Sequence, residues 1–333
     1  MQIVTYPPSF IEAYLADARR LMESGLVAEG SNYKETAQAY VPGKLSIPVA
    51  SGGAAIFALL AYHKHVGRRT RVIVQSNTMR ALYTVPKLLC MLPLVVHSSY
   101  EDFLSMDPQA LEHALSDKAV RESAVVVYSV IGGYLAPSFE RIADICAEAA
   151  VPLIVDGAHA HYLGAVSART DLDIAYSFYA TKILPAGEGG LISTADEARH
   201  EWLRRFLMYD RFTNELEIGL NLRAGELTAA LILRLMTDES TIAHFKTDRV
   251  TIAERYRAVC DEYGVRYLDP KRAADYNGYK FVVLSSFESV ATLGTVLTAH
   301  RPTSAVFETD VRGKRTSLPH WCPPTYSALV GRV

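Results

Sequence analysis

Three short stretches of this 333-residue chain carry side chains suited to chemistry, and they follow one another in a fixed order. In VASGGAAIFALLAY, Ser51, Gly52 and Gly53 join a strand-like run to a helical one. Glycines let the backbone approach a ligand closely, a serine caps a helix, and the N–H groups at the helix start, aided by its dipole, attract phosphate. A tight turn that binds nothing explains these residues equally well when they are taken alone. Neither GxGxxG nor GxxxxGKS/T is matched, which disfavours dinucleotides and P-loop nucleotides.

In PLIVDGAHAHYLG a buried strand ends on Asp156, with His159 and His161 just beyond. A carboxylate at the C-terminal end of a parallel strand faces the crevice where open α/β sheets bind ligands, and a plain turn cap is the competing reading. The two histidines have no evident third partner, so a metal site is disfavoured. In SFYATKILPAGEGG, Lys182 follows an apolar strand and precedes three glycines. A lysine partly withdrawn from water has a lowered pKa, and its neutral amine condenses with aldehydes. The ordinary alternative is a surface lysine whose head reaches solvent.

Each signal is weak alone, yet the three constrain one another. A phosphate cradle, a strand-end carboxylate and a lysine one unit later are the parts needed to hold pyridoxal phosphate (PLP). The lysine would form a Schiff base, the carboxylate would keep the pyridine nitrogen protonated so that the ring withdraws electrons, and the cradle would anchor the phosphate.

The elements that must position these residues alternate. LSIPVA, RVIVQ, PLVVH, AVVVYSV, PLIVD and IAYSFYA read as strands, and most of the segments between them as helices. Strands so uniformly apolar are expected to be covered on both faces, in a parallel sheet with right-handed crossovers. The fold class is therefore α/β. FIEAYLADARRLMES reads as an amphipathic arm. From about residue 195 the pattern turns helical, ending in a long connector over STIAHFKTDRVTIAERYRAVCDEYG, after which YKFVVLSS and ESVATLGTVLTAH supply a strand and a helix. The expected division is a helical arm at 1–30, a large cofactor-binding domain at 31–240 and a smaller C-terminal domain at 241–333.

Half the residues are hydrophobic and the net charge is -2, which implies a folded globular protein with no general attraction to nucleic acid or anionic lipid. GRRTR and RGKRT read as solvated loops. The four cysteines are far apart and read as reduced thiols. The N-terminus lacks a signal-peptide pattern and no apolar run is long enough to span a bilayer, so a cytoplasmic location is expected.

SFYATKILPAGEGG closely resembles the SFHATK...GEGG block of the DegT/DnrJ/EryC1/StrS aminotransferases, the sugar aminotransferase group of fold-type I PLP enzymes. VASGGAAIFALLAY is similar to their SSGTAAL segment, IVDGAHAHYLG to EDAAQAxGA, and GLNLRAGELTAALILRLM to GYNYRMxELQAALGLxQL. The resemblance implies a seven-stranded, mostly parallel large-domain sheet and a smaller α+β domain. It implies that Lys182 carries the cofactor and shuttles a proton, that Asp156 pairs with the pyridine nitrogen and that His159 lies near the ring's phenolic oxygen. Gly53 and Ala54 would offer N–H groups to the phosphate and Ser177 a hydroxyl. Asn221 would reach the phosphate of a neighbouring subunit in a homodimer. The usual reaction takes an amino group, commonly from glutamate, to a keto group of a sugar or nucleotide-linked sugar, with Glu188 a candidate contact.

Departures accompany the matches. Met79 stands where relatives usually stack an aromatic ring on the pyridine, Gly53 replaces Thr, and Leu222 replaces Tyr. SLPHWCPPTYSALVGRV is expected to close a small domain shorter than usual. A related variant that dehydrates has His in place of the lysine, so Lys182 favours transamination. Two alternatives remain: a non-sugar keto acceptor, or a PLP-binding regulatory module without turnover. Tyr33, Tyr128, Tyr179, Arg223 and His320 are conceivable substrate contacts.

Overall fold

The computed structural model describes residues 5–285 except 29, 40–43, 100, 170, 212, 214, 217 and 271, together with 307–308 and 327–332. The chain opens with α1 (Pro8–Ser24) and α2 (Ser31–Ala39). It then alternates through β1 (Leu45–Val49), α3 (Gly52–His65), β2 (Arg71–Gln75), α4 (Ala81–Leu88) and β3 (Leu92–Val96). Next come α5 (Pro108–Ser116), α6 (Lys118–Ser123), β4 (Ala124–Ser129), α7 (Phe139–Glu148), β5 (Leu153–Asp156), α8 (Gly164–Ser167), β6 (Asp173–Ser177) and β7 (Gly190–Thr194). Helices α9 (Glu197–Phe206), α10 (Glu226–Thr237) and α11 (Glu239–Glu262) precede β8 (Arg266–Tyr267), β9 (Lys280–Ser285), β10 (Phe307–Glu308) and β11 (Ser327–Arg332). Aspartates start several helices: Asp107, Asp117, Asp196 and Asp238 each accept a backbone N–H of the first turn.

Seven strands form one sheet in the order β1-β7-β6-β5-β4-β2-β3. β2 pairs parallel with β3 and β4, and β4, β5 and β6 continue in parallel, whereas β7 runs antiparallel to both neighbours. The period of two along each strand explains its uniformly apolar sequence. Ile73, Val126, Val155 and Ile174 enter the core with α7, while Val72, Val74, Val125, Val127 and Ile154 enter the opposite core with α3. Each such fully buried side chain contributes roughly 1.5–3 kcal/mol.

The expectation of cover on both faces fails at β3, where Leu92 and Val95 are 56% and 48% exposed. β3 is the edge strand, paired with β2 alone, and the helices α4 and α5 that pack on it leave part of it open. β7 was not evident in the sequence, because GLIST is short and follows a glycine-rich loop directly, without a helix. α2, α6 and α8 are likewise additions to the reading. The helix expected over ESVATLGTVLTAH lies outside the described residues.

A second, antiparallel sheet has the order β10-β11-β9-β8. α11 packs Ala253, Tyr256 and Val259 against Phe281 and Val283 of β9. This unit is stitched to the loop after β4: Tyr134 stacks on Tyr276 at 4.3 Å, and the Lys280 and Asn277 N–H groups donate to the carbonyls of Gly132 and Gly133, both at 3.1 Å. Cys146 and Cys260 are buried thiols and Cys90 is exposed, while Cys322 falls outside the described residues. Among the described residues no helix is long and apolar enough to cross a membrane.

Candidate active site

The start of α3, the ends of β5 and β6, and the β6–β7 connection converge above the sheet. Ser51 has extended backbone and caps α3, its Oγ accepting the Ala54 N–H at 3.1 Å. That bond engages one of the two amides expected to meet a phosphate, so cap and ligand would share it. Two glycines here are required by proximity. A Cβ at Gly52 would lie 2.7 Å from Ser177 Cβ, and one at Gly190 would lie 2.4 Å from the Ser51 carbonyl carbon. At Gly53 an added Cβ would meet Ser51 Oγ at an ordinary 3.6 Å.

Asp156 ends β5, in register with Ser129 of β4. Its Oδ1 accepts the Ala158 N–H at 3.2 Å, and Ser129 Oγ lies 3.5 Å from Oδ2. Ser129 is itself held, with its N–H donating to Gln75 Oε1 and its Oγ 2.7 Å from Thr78 Oγ1. Burial pushes the Asp156 carboxyl above its ordinary pKa, against the opposing pull of the Ala158 N–H and the Lys182 charge.

Lys182 sits on the connection between β6 and β7, whose neck is the antiparallel pair Ser177↔Gly190. Within it the Phe178 N–H donates to Gly189 O and the Ala180 N–H to Gly187 O, both at 2.9 Å, and the Lys182 N–H donates to Tyr179 O at 2.8 Å. The lysine is 8% exposed, with Nζ 5.5 Å from the ring centroid of Tyr279. Arg249 of α11 reaches the carbonyls of Lys182 and Tyr279 at 3.5 and 3.4 Å.

The Gly132 N–H donates to His159 Nδ1 at 3.2 Å, so a neutral ring keeps its proton on Nε2. Burial first, then the charges of Lys182 and Lys280, hold the His159 pKa well below the usual value. Its ring lies 4.5 Å from that of Tyr279. His161 is buried with Nε2 2.8 Å from the Ser177 carbonyl, and burial pushes its pKa down to about 4. It braces the strand that carries Ser177 and does not line the cleft.

Of the residues expected from sequence, Ser51, Gly52, Gly53, Met79, Asp156, His159, Ser177 and Lys182 line one cleft of about 630 Å³. Ala54 lies buried behind Ser51. Met79 is at the rim, 59% exposed. Asn221 does not line the cleft; it is exposed and accepts the Arg223 Nε–H at 3.2 Å. Among the conceivable substrate contacts, Tyr179 and Glu188 line the cleft, Tyr128 is fully buried in the core beside Phe139, and neither Tyr33 nor Arg223 is part of the lining. His320 lies outside the described residues. The sequence reading missed Tyr279, Lys280 and Thr78, all of which line the cleft. The signal of Tyr279 and Lys280 was faint: YK opens a strand assigned to the other unit.

The residues present suit PLP: an amine for its aldehyde, a carboxylate for its ring nitrogen, and a helix start too closely packed at Gly52 for any Cβ, beside a hydroxyl for its phosphate. The family model described as DegT/DnrJ/EryC1/StrS aminotransferase matches residues 8–312. The chain belongs to the DegT/DnrJ/EryC1/StrS aminotransferase family. Members are PLP-dependent aminotransferases. A relative from Micromonospora echinospora, named L-glutamine:3-amino-2,3-dideoxy-scyllo-inosose aminotransferase, is 34% identical over 143 residues, which cover 40% of this chain and 33% of that protein. The solved structure of 3-amino-5-hydroxybenzoic acid synthase aligns with a TM-score of 0.71 at 20% identity, covering 92% of this chain and 82% of that one. NtdA of Bacillus subtilis, solved with bound cofactor PMP, aligns with a TM-score of 0.72 at 19% identity, covering 88% and 68%. These structural likenesses establish the fold of the family, fold-type I, for this member.

Proposed function

We propose that the protein is an aminotransferase that uses PLP to move an amino group from glutamate to a keto group of a sugar or nucleotide-linked sugar. The observation that carries the reading is the convergence of Lys182, Asp156 and the Ser51–Ser177 cradle on one cleft in a member of an aminotransferase family. PLP, when bound, supplies an aldehyde for the amine and a ring that withdraws electrons. Lys182 Nζ is the group that would hold it and afterwards move a proton, a task needed in both halves of a transamination. Asp156 would face the protonated ring nitrogen, a cation that offsets what burial costs its ionised form. His159, neutral with Nε2–H, is a donor for the phenolic oxygen, and Ser51, Gly52, Gly53, Ala54 and Ser177 would take the phosphate. The same reading includes a homodimer with Asn221 reaching the neighbouring site, a cytoplasmic location, and the division into 1–30, 31–240 and 241–333.

A second reading, a keto acceptor that is not a nucleotide-linked sugar, is favoured by two names among the relatives. One is named for a scyllo-inosose derivative, and another is a 3-amino-5-hydroxybenzoic acid synthase.

Incubation with PLP followed by borohydride reduction and peptide mass spectrometry tests the proposal. The label is expected on the peptide containing Lys182, with a visible absorbance band that Lys182→Ala abolishes and glutamate bleaches. An unlabelled Lys182, or a label on another lysine, refutes it. Screening sugar and non-sugar ketones against the aminated form then separates the two acceptors.

A further inference from the structure

Lys280 is a second ammonium in the cleft, and the cofactor assignment does not use it. It opens β9 and lines the same cleft as Lys182. Its backbone is fixed on both sides: its N–H donates to Gly132 O at 3.1 Å, and its carbonyl accepts the Tyr276 hydroxyl at 3.0 Å. Nζ lies 5.5 Å from the centroid of the Tyr279 ring, the same distance as Lys182 Nζ. The two ammonium groups therefore share one aromatic platform, and both charges are felt at His159.

Among the described residues, four formally charged ones line the cleft: Asp156, Lys182, Glu188 and Lys280. Under the reading above, Asp156 and Lys182 are committed to the cofactor, and the phosphate end is built from the start of α3 and Ser177. Glu188 is exposed at the mouth. Lys280 is then the remaining cation among the described lining residues, over the same Tyr279 ring as the amine at which the amino group would be exchanged. An α-amino acid brings its carboxylate two bonds from its nitrogen, so a donor whose nitrogen meets the Lys182 position carries an anion into the neighbourhood of Tyr279 and Lys280. We propose that Lys280 recognises the α-carboxylate of the amino donor.

The inference rests on the proposed aminotransferase reading and is separable from it. Protein loaded with PLP is titrated, by its absorbance change, with L-glutamate and L-glutamine, each against its α-carboxamide. A charge-assisted hydrogen bond of this kind corresponds to about a 10- to 100-fold preference for the carboxylate. The wild type is expected to show that preference, Lys280→Gln to lose it while binding the amides as before, and Lys280→Arg to retain part of it. The inference is overturned if Lys280→Gln still discriminates, if it weakens PLP instead of the donor, or if a PLP-loaded wild type responds to neither amino acid. A wild type that never takes up PLP defeats the functional reading, and this one with it.

Discussion

Replacing Asn277 is expected to loosen the site from a distance. The side chain is 3% exposed and makes three hydrogen bonds: Nδ2 donates to the carbonyls of His159 at 2.7 Å and His161 at 2.8 Å, and Oδ1 accepts the Tyr279 N–H at 3.1 Å. It thereby ties the loop after β5 to the strand that brings Tyr279 and Lys280 into the cleft. At about 1 kcal/mol net per bond, Asn277→Ala should lose about 3 kcal/mol, and up to about 5 kcal/mol with the desolvation left on its partners. Asn277→Asp keeps the acceptor but turns a carboxylate oxygen towards two carbonyls, so it should be at least as damaging. Urea unfolding of the two variants, read as a shift in midpoint with an unchanged slope, measures the loss. A decrease below about 1 kcal/mol for Asn277→Ala, or an Asn277→Asp as stable as the wild type, would show that the staple carries no such energy.

Two further outcomes follow from the same geometry. Gly52→Ala places a methyl 2.7 Å from Ser177 Cβ and should cost about 1–3 kcal/mol, whereas Gly53→Ala meets Ser51 Oγ at 3.6 Å and should be neutral or gain up to about 1 kcal/mol; thermal unfolding of the pair decides it. His161 is held neutral with a pKa of about 4, so the unfolded chain binds its proton first and stability falls as pH drops from about 7 towards 4. That loss amounts to roughly 3 kcal/mol by pH 4, partly opposed by Asp156, whose raised pKa acts in the other sense. His161→Gln preserves a donor for the Ser177 carbonyl without titrating, and its stability should depend less on pH by that amount; parallel profiles would refute the assignment.

The large sheet and the residues that gather at the rim of the cleft were legible because both are written locally. Apolar runs alternating with helical periods define β2, β4, β5 and β6, and the strand-end positions of Asp156 and Ser177 place their side chains at one rim. β7 was not legible, since its five residues follow a glycine loop and pair antiparallel, a connection that alternation does not signal. Tyr279, Lys280 and Asn277 were hidden for another reason. They reach the cleft through contacts distant in sequence, with Gly132, His159 and Lys182. Tyr128, by contrast, drew notice by its type alone, and the alternation along β4 turns it into the core.

The neck of the connection that carries Lys182 separates two kinds of change. Ser177 and Gly190 are paired across it, and the bridge between Ser51 and Gly189 locks it to the start of α3. The proposed phosphate end is therefore framed by the sheet, while residues 178–189 form an excursion closed at its base. Substitutions or altered lengths in that excursion can reshape what faces the lysine from above and leave the anchoring end in place. Under the proposed function, variation within this single loop would change which acceptor fits, with no renegotiation of the fold beneath it.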